Sequence, residues 1–137
     1  MILLLALLLL ADPTFADYPS PADFQGTPAK PVLKTPAQKQ SRTMSTDGAK
    51  KGPNFAGHFT IAQWGCGSGC VSIAVVDAKT GTVYDGPFKV LTSSPLAGPE
   101  LDFQVRSRLL IARGCPEETN CGPHFYEWTG KQFKPIK

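Results

Sequence analysis

From Gly52 onward, apolar and polar positions change places over short runs, and Val71, Ile73 and Val75 alternate with Ser72 and Ala74. That period of two buries one face of a strand, and no stretch here keeps the longer period of a helix. Seven strands are predicted, at residues 58–64, 71–77, 82–88, 101–105, 108–114, 124–128 and 131–136. Ala78-Lys79-Thr80-Gly81 and Thr129-Gly130 place glycine where tight connections need positive φ, whereas Pro95, Gly98 and Pro99 make 89–100 a long irregular loop. The predicted fold is all-β: a single small antiparallel meander, sandwich or partly open barrel, of about seven strands and braced by disulfides. In such a meander direction alternates at every connection. The turns at 78–81, 106–107 and 129–130 then fall at one end, and the loops 65–70, 89–100 and 115–123 at the other. Long loops on a rigid sheet are where function concentrates, so the loop end is the candidate functional face.

The residues before Gly52 follow a different pattern. Prolines at 19, 21, 28, 31 and 36 remove backbone donors, so residues 17–40 are expected to form an extended flexible arm. The competing reading is that Phe24, Val32 and Leu33 pin part of it to the domain as an edge segment. Residues 41–51 suit either one helical turn or a short strand. Residues 2–11, ILLLALLLLA, fall well short of the roughly 20 apolar residues that span a bilayer, and Thr14-Phe15-Ala16 offers small residues where a signal peptidase reads. Residues 1–16 are therefore expected to be a signal peptide, although no Lys or Arg precedes the apolar run. Residues 41–137 form the disulfide-bonded domain, with no stable membrane insertion after cleavage. At 137 residues the chain has room for one such core.

Export changes the reading of the cysteines. In a periplasmic or secreted location, Cys66, Cys70, Cys115 and Cys121 are expected to form two disulfides rather than a metal site. Proximity favours Cys66–Cys70 and Cys115–Cys121, each ring worth about 2 kcal/mol by chain entropy, while pairing across the two loops would give about 4 kcal/mol. The local pairing is the expectation. The net charge of +3 is concentrated before the domain: residues 17–52 carry six basic and three acidic groups, residues 53–137 eight and seven. A nearly neutral domain without a basic stripe excludes nucleic acid as a partner.

Trp64-Gly65-Cys66-Gly67-Ser68-Gly69-Cys70 crowds reactive residue types together, but it fits no nucleophile signature. A lipase-type elbow needs glycine two positions either side of the serine, where Ser68 has Cys66 and Cys70. A papain-type run needs the second cysteine directly after Ser68 and an aromatic after it, where Gly69 and then Val71 stand. The cysteine spacings also miss the short repeated knuckle of zinc sites, and His58 starts its strand at the end away from the cysteines. No catalytic residue, metal ligand or cofactor is assigned. His58 is expected to be a strand-edge histidine bonded to backbone, whereas His124 starts a strand beside the second cysteine loop. Thr80-Gly81 with Tyr84 weakly resembles the Ser-Gly-x-x-Tyr element of small periplasmic lysozyme inhibitors, but a hairpin turn followed by a strand tyrosine accounts for it. Phe125, Tyr126 and Trp128 alternate in face, so some of them belong to the core. The candidate binding residues are Trp64, Ser68, His124 and Tyr126.

Pro53-Asn54-Phe55-Ala56-Gly57-His58-Phe59, then Trp64-Gly65-Cys66-Gly67 and Cys70, then Val75-Val76-Asp77 to Thr80-Gly81, and the closing Tyr126-Glu127-Trp128-Thr129-Gly130 resemble a group of small exported bacterial proteins of unknown function. The resemblance covers roughly residues 42–137 and implies no activity or ligand. The expected function is an exported binding or inhibitory module of the bacterial envelope, with an envelope or secreted protein as partner. The alternatives are a small secreted hydrolase using Ser68 and His124, or a purely structural envelope domain.

Overall fold

The alternation of apolar residues is realised as eight strands in one antiparallel sheet that is not closed into a barrel. The computed structural model describes residues 11–136, so the apolar run at 2–10 lies outside the described residues. The strands are β1 (Phe59–Gly65), β2 (Cys70–Asp77), β3 (Val83–Asp85), β4 (Leu91–Thr92), β5 (Leu101–Asp102), β6 (Leu109–Pro116), β7 (Gly122–Trp128) and β8 (Phe133–Ile136). Their order is β1-β2-β4-β6-β7-β8, with β3 paired to β2 and β5 to β6.

Two expectations about the middle of the chain are corrected. The strand expected at 82–88 breaks at Gly86-Pro87. Between the pairs Ala74↔Asp85 and Val71↔Leu91, β2 has only Ser72 and Ile73, while the opposing chain has the five residues 86–90. Those extra residues form a bulge, seated because Gly86 lies so close to Ile73 that a Cβ there would be 2.5 Å from Ile73 Cγ1. Pro87, lacking an N–H, suits the unpaired stretch. The second correction concerns direction. Both β4 and β5 pair antiparallel with β6, so they run the same way, and 93–100 is an excursion from one strand line rather than a reversal. The cysteine loops nevertheless lie on either side of β4, because Thr92 is opposite Cys70 in one neighbour and Cys115 in the other. The disulfides are the local ones, Cys66–Cys70 and Cys115–Cys121.

The inner face of the sheet holds the main core. Phe55 and Trp128 are almost fully buried there with Val75, Leu91 and Leu110, and Trp128 meets Phe59, Tyr84 and Phe133 at centroid distances of 5.2, 5.4 and 4.8 Å. Tyr84 is thus a core-packing strand tyrosine behind a Gly81 turn. Such aromatic contacts add about 1 kcal/mol each beyond area burial. Along β7 the faces alternate as expected, Tyr126 and Trp128 buried and Phe125 and Glu127 only partly so.

Residues 41–51 are neither a single turn nor a strand. After a short helix α1 (Pro36–Gln40), the nine-residue α2 (Arg42–Lys50) lies on the outer face of β1 and β2. Thr35 and Gln38 close a capping box on α1, with Pro36 at its first position. Ala49 joins Ala74, Val76 and Val83 in a second apolar cluster, flanked by Leu33 and Trp64. Gly48 allows this approach, since a Cβ on it would sit 2.7 Å from that of Ala62.

The proline-rich segment lies along the turn end of the sheet. Backbone bonds run from Ser20 N–H to Arg106 O, Arg108 N–H to Tyr18 O, Ala29 N–H to Ala78 O, and Val32 N–H to Gly81 O, each 2.8 Å long. Val32 forms a parallel bridge with Thr82, so at this residue the segment expected as a flexible arm follows the competing reading of an edge contact. Among the described residues no helix is long and apolar enough to cross a membrane.

Candidate functional site

The N-terminal helices and the bulge together build a groove on the outer face of the sheet. α1 is held to β3 by Gln38, whose side-chain amide donates to Val83 O at 3.2 Å while its carbonyl oxygen accepts from Lys34 N–H at 2.7 Å. α2 is held by its apolar stripe, in which Ser45 and Ala49, one turn apart, both face the sheet and are buried. On the other side the bulge is held by Ser72 Oγ–H, which donates to Lys89 O at 2.9 Å, and by Lys89 N–H, which donates to Glu117. Between these walls lies an open groove of about 560 Å³.

Trp64, partly exposed, lines the groove together with Ala74 and Val83. Because the bulge interrupts the sheet, the lining also reaches Ile73 and Phe88 of the main core. Polar groups come from Gln38, Ser45, Ser72, Asp85, Lys89 and Glu117. Ser45 differs from the rest. The residue is only 1% exposed, and its hydroxyl has no hydrogen-bond partner among the described residues. A buried hydroxyl left without a partner costs roughly 1–3 kcal/mol, so natural folds keep few of them, and those few call for a reason.

Of the residues singled out from the sequence, only Trp64 lines this groove. Ser68 is exposed at the tip of the β1–β2 turn. His124 is the third residue of β7, and its Nε2–H donates to the backbone carbonyl of Asn120 in the second disulfide loop. In the strand order β4 and β6 stand between β2, which follows the Ser68 turn, and β7, which carries His124. Tyr126 is a core residue, with Phe88 and Phe133 at 6.5 and 6.2 Å, and burial pushes its phenol above the ordinary tyrosine pKa.

His58 lies at the other end of β1, and its ring is bonded by the carboxylate of Asp23 rather than by backbone. Its Nδ1 is 3.3 Å from Asp23 and its Nε2 3.9 Å from Asp77. Lys79 Nζ completes the cluster at 3.2 Å from Asp23, and it is the main cause of the lowered Asp23 pKa. Among the described residues no group of three or more His, Cys, Asp or Glu side chains is placed to hold a metal ion.

Sequence reasoning missed α1, α2 and the bulge, which form most of the groove. The dipeptide Gly86-Pro87 was the available signal for the bulge, and Thr35-Pro36 followed by Gln38 for the start of α1. Comparison with protein-family models, with curated proteins and with solved structures finds no match to this chain.

Proposed function

We propose that this chain is an exported binding module of the bacterial envelope, periplasmic or secreted, and that its ligand site is the groove between α1–α2 and the bulge of β3–β4. The observation that carries this reading is the unpartnered Ser45 hydroxyl, buried at the wall of an otherwise open groove beside a partly exposed indole. A ligand that bonds this hydroxyl recovers a cost already present in the free fold. Two disulfides in so small a domain suit an oxidising compartment. A hydrolase using Ser68 and His124 gains no support, since the imidazole is engaged by Asn120 and strands β4 and β6 intervene.

The test is nuclear magnetic resonance of the labelled full chain during addition of fractionated envelope extract. Binding in the groove shifts the Trp64 indole signal and the amide signals of Ser45, Asp85 and Lys89. Ser68→Ala and His124→Ala should bind as the parent does. Shifts confined to the loops 66–70 and 115–121, or lost in those two variants, would overturn the groove as the site.

A further inference from the structure

We propose that the ligand of the groove is a neutral oligosaccharide chain lying along it. This inference rests on the groove being the binding site argued above. The first support is the chemistry of the lining. Beside the indole of Trp64 and the apolar surfaces of Ala74, Val83, Pro87 and Phe88, the groove presents the short hydroxyls of Ser41, Ser45 and Ser72 and the amides of Gln38 and Gln40. Its charged groups, Asp85, Glu117 and Lys89, are of mixed sign. There is thus no cluster of cations to hold a phosphate or sulfate, and Lys89 opposes capture of a metal ion. A pyranose ring matches the rest: its C–H face is an apolar surface for an indole, and its hydroxyl groups both donate and accept. Ser45 offers a hydroxyl with the same dual capacity, and the Asp85 carboxylate, exposed at the rim, accepts from neighbouring sugar hydroxyls.

Shape is the second support. A further groove of about 350 Å³ shares Gln38, Val83, Asp85, Gly86 and Pro87 with the first and continues to Lys131, Gln132 and Phe133. The two adjoin across the bulge and are open along their length, which suits a chain of linked rings rather than one compact molecule. An extended peptide is served less well. Peptides that add to a sheet need a row of free backbone groups, but β2 is paired with β1 on one side and β3 on the other at residues 74–76. On β3, Val83 O already accepts from Gln38.

The experiment titrates the full labelled chain with short neutral cello-, chito- and malto-oligosaccharides, and with an uncharged peptide of similar length as the comparator. At least one glycan should shift the Trp64 indole and Ser45 signals, with affinity rising severalfold from disaccharide to tetrasaccharide. Ser45→Ala should weaken that binding about tenfold, the effect of losing one buried hydrogen bond. The same variant removes an unpartnered buried hydroxyl from the free protein, so its melting temperature should rise while its affinity falls, a combination that a merely structural role for Ser45 would not give. Asp85→Asn, at an exposed position, provides a second folded variant and should also weaken binding. If no glycan moves these signals at tens of millimolar, or affinity is indifferent to chain length, the oligosaccharide proposal is overturned. If the peptide or a component of the extract still moves them, the groove stands as a binding site and only the ligand class falls. If nothing moves them, both fall.

Discussion

Tyr126 shows how much the neighbourhood of a single side chain decides. Its phenol is buried among aromatics, and desolvation raises its pKa above the usual 10.0 because the phenolate is disfavoured there. A group whose pKa is raised on folding contributes stability that is fully present below its unfolded value and is lost as pH climbs through the folded one. Chemical unfolding followed from neutral to strongly alkaline pH should therefore show stability falling above about pH 10. Tyr126→Phe should change neutral-pH stability by about 1 kcal/mol or less, since no hydrogen bond to the phenol is present among the described residues, and should move the alkaline loss to higher pH. Gly81 is the opposite kind of residue, defined by space and backbone. Its φ is +81°, and an added Cβ would stand 2.2 Å from Lys30 O. Gly81→Ala should cost about 2 kcal/mol or more, read as a lowered denaturation midpoint, and should release Val32 from its bond to Gly81 O.

At the scale of elements, the two disulfides act on separate turns and should be nearly independent. Each closes a small ring, and chain entropy assigns about 2 kcal/mol to either. Cys66→Ser with Cys70→Ser should lower stability by about that amount without unfolding the sheet, because β1 and β2 remain paired over seven residues from Phe59↔Asp77 to Gly65↔Val71. Denaturation of the double variant beside the parent checks this, and loss of all structure would show that the turn is a prerequisite for the hairpin. The β1–β2 hairpin was legible in the sequence because both signals agree there: alternation along Val71 to Val75, and a glycine turn between cysteines. The pairing of β6 with β7 was legible from the two cysteines that close the short polar connection between them. What could not be read was the path between them. Alternation within residues 82–88 does not place the bulge, whose extent is set by the partner strand's register; Gly86-Pro87 marks only that the strand breaks there. Nor do two-residue strands such as β4 and β5 carry enough positions to establish a period, so the direction of β5 was assigned by parity and came out reversed. Trp64, which lines the groove, was singled out because an aromatic beside a glycine turn is conspicuous. Ser45 was not, since its burial follows from α2 docking on β1 and β2, and the apolar stripe of that helix is too thin to stand out in the sequence.

At the scale of the whole molecule, the N-terminal arm ties the turn end together, and the tie depends on charge. Asp23 lies between Lys79 at 3.2 Å and His58 at 3.3 Å, and these residues come from the β2–β3 turn and the start of β1. The hydrogen bond from Lys79 lowers the Asp23 pKa below 3.8, with a smaller contribution from His58, while partial desolvation opposes both. A carboxylate whose pKa falls on folding contributes stability that is present above its unfolded value and lost as pH drops through the folded one. The window is therefore acidic, beginning near 3.8 and extending below it. Because Asp23 is exposed, the effect belongs to the arm and not to the global fold. Hydrogen exchange separates the two. Acidification through that window should increase exchange at the amides of Ser20 and Ala29, which bond Arg106 O and Ala78 O on either side of Asp23, ahead of amides in β6. Asp23→Asn should show the same local loosening at neutral pH and lose the acid dependence, with the denaturation midpoint of the sheet unchanged. If the arm amides in that variant stay as protected as in the parent, the backbone bonds alone hold the arm and the ion cluster contributes nothing. If β6 loosens in step with them, the arm and sheet unfold as one unit, and the tie is part of the core's own cooperativity.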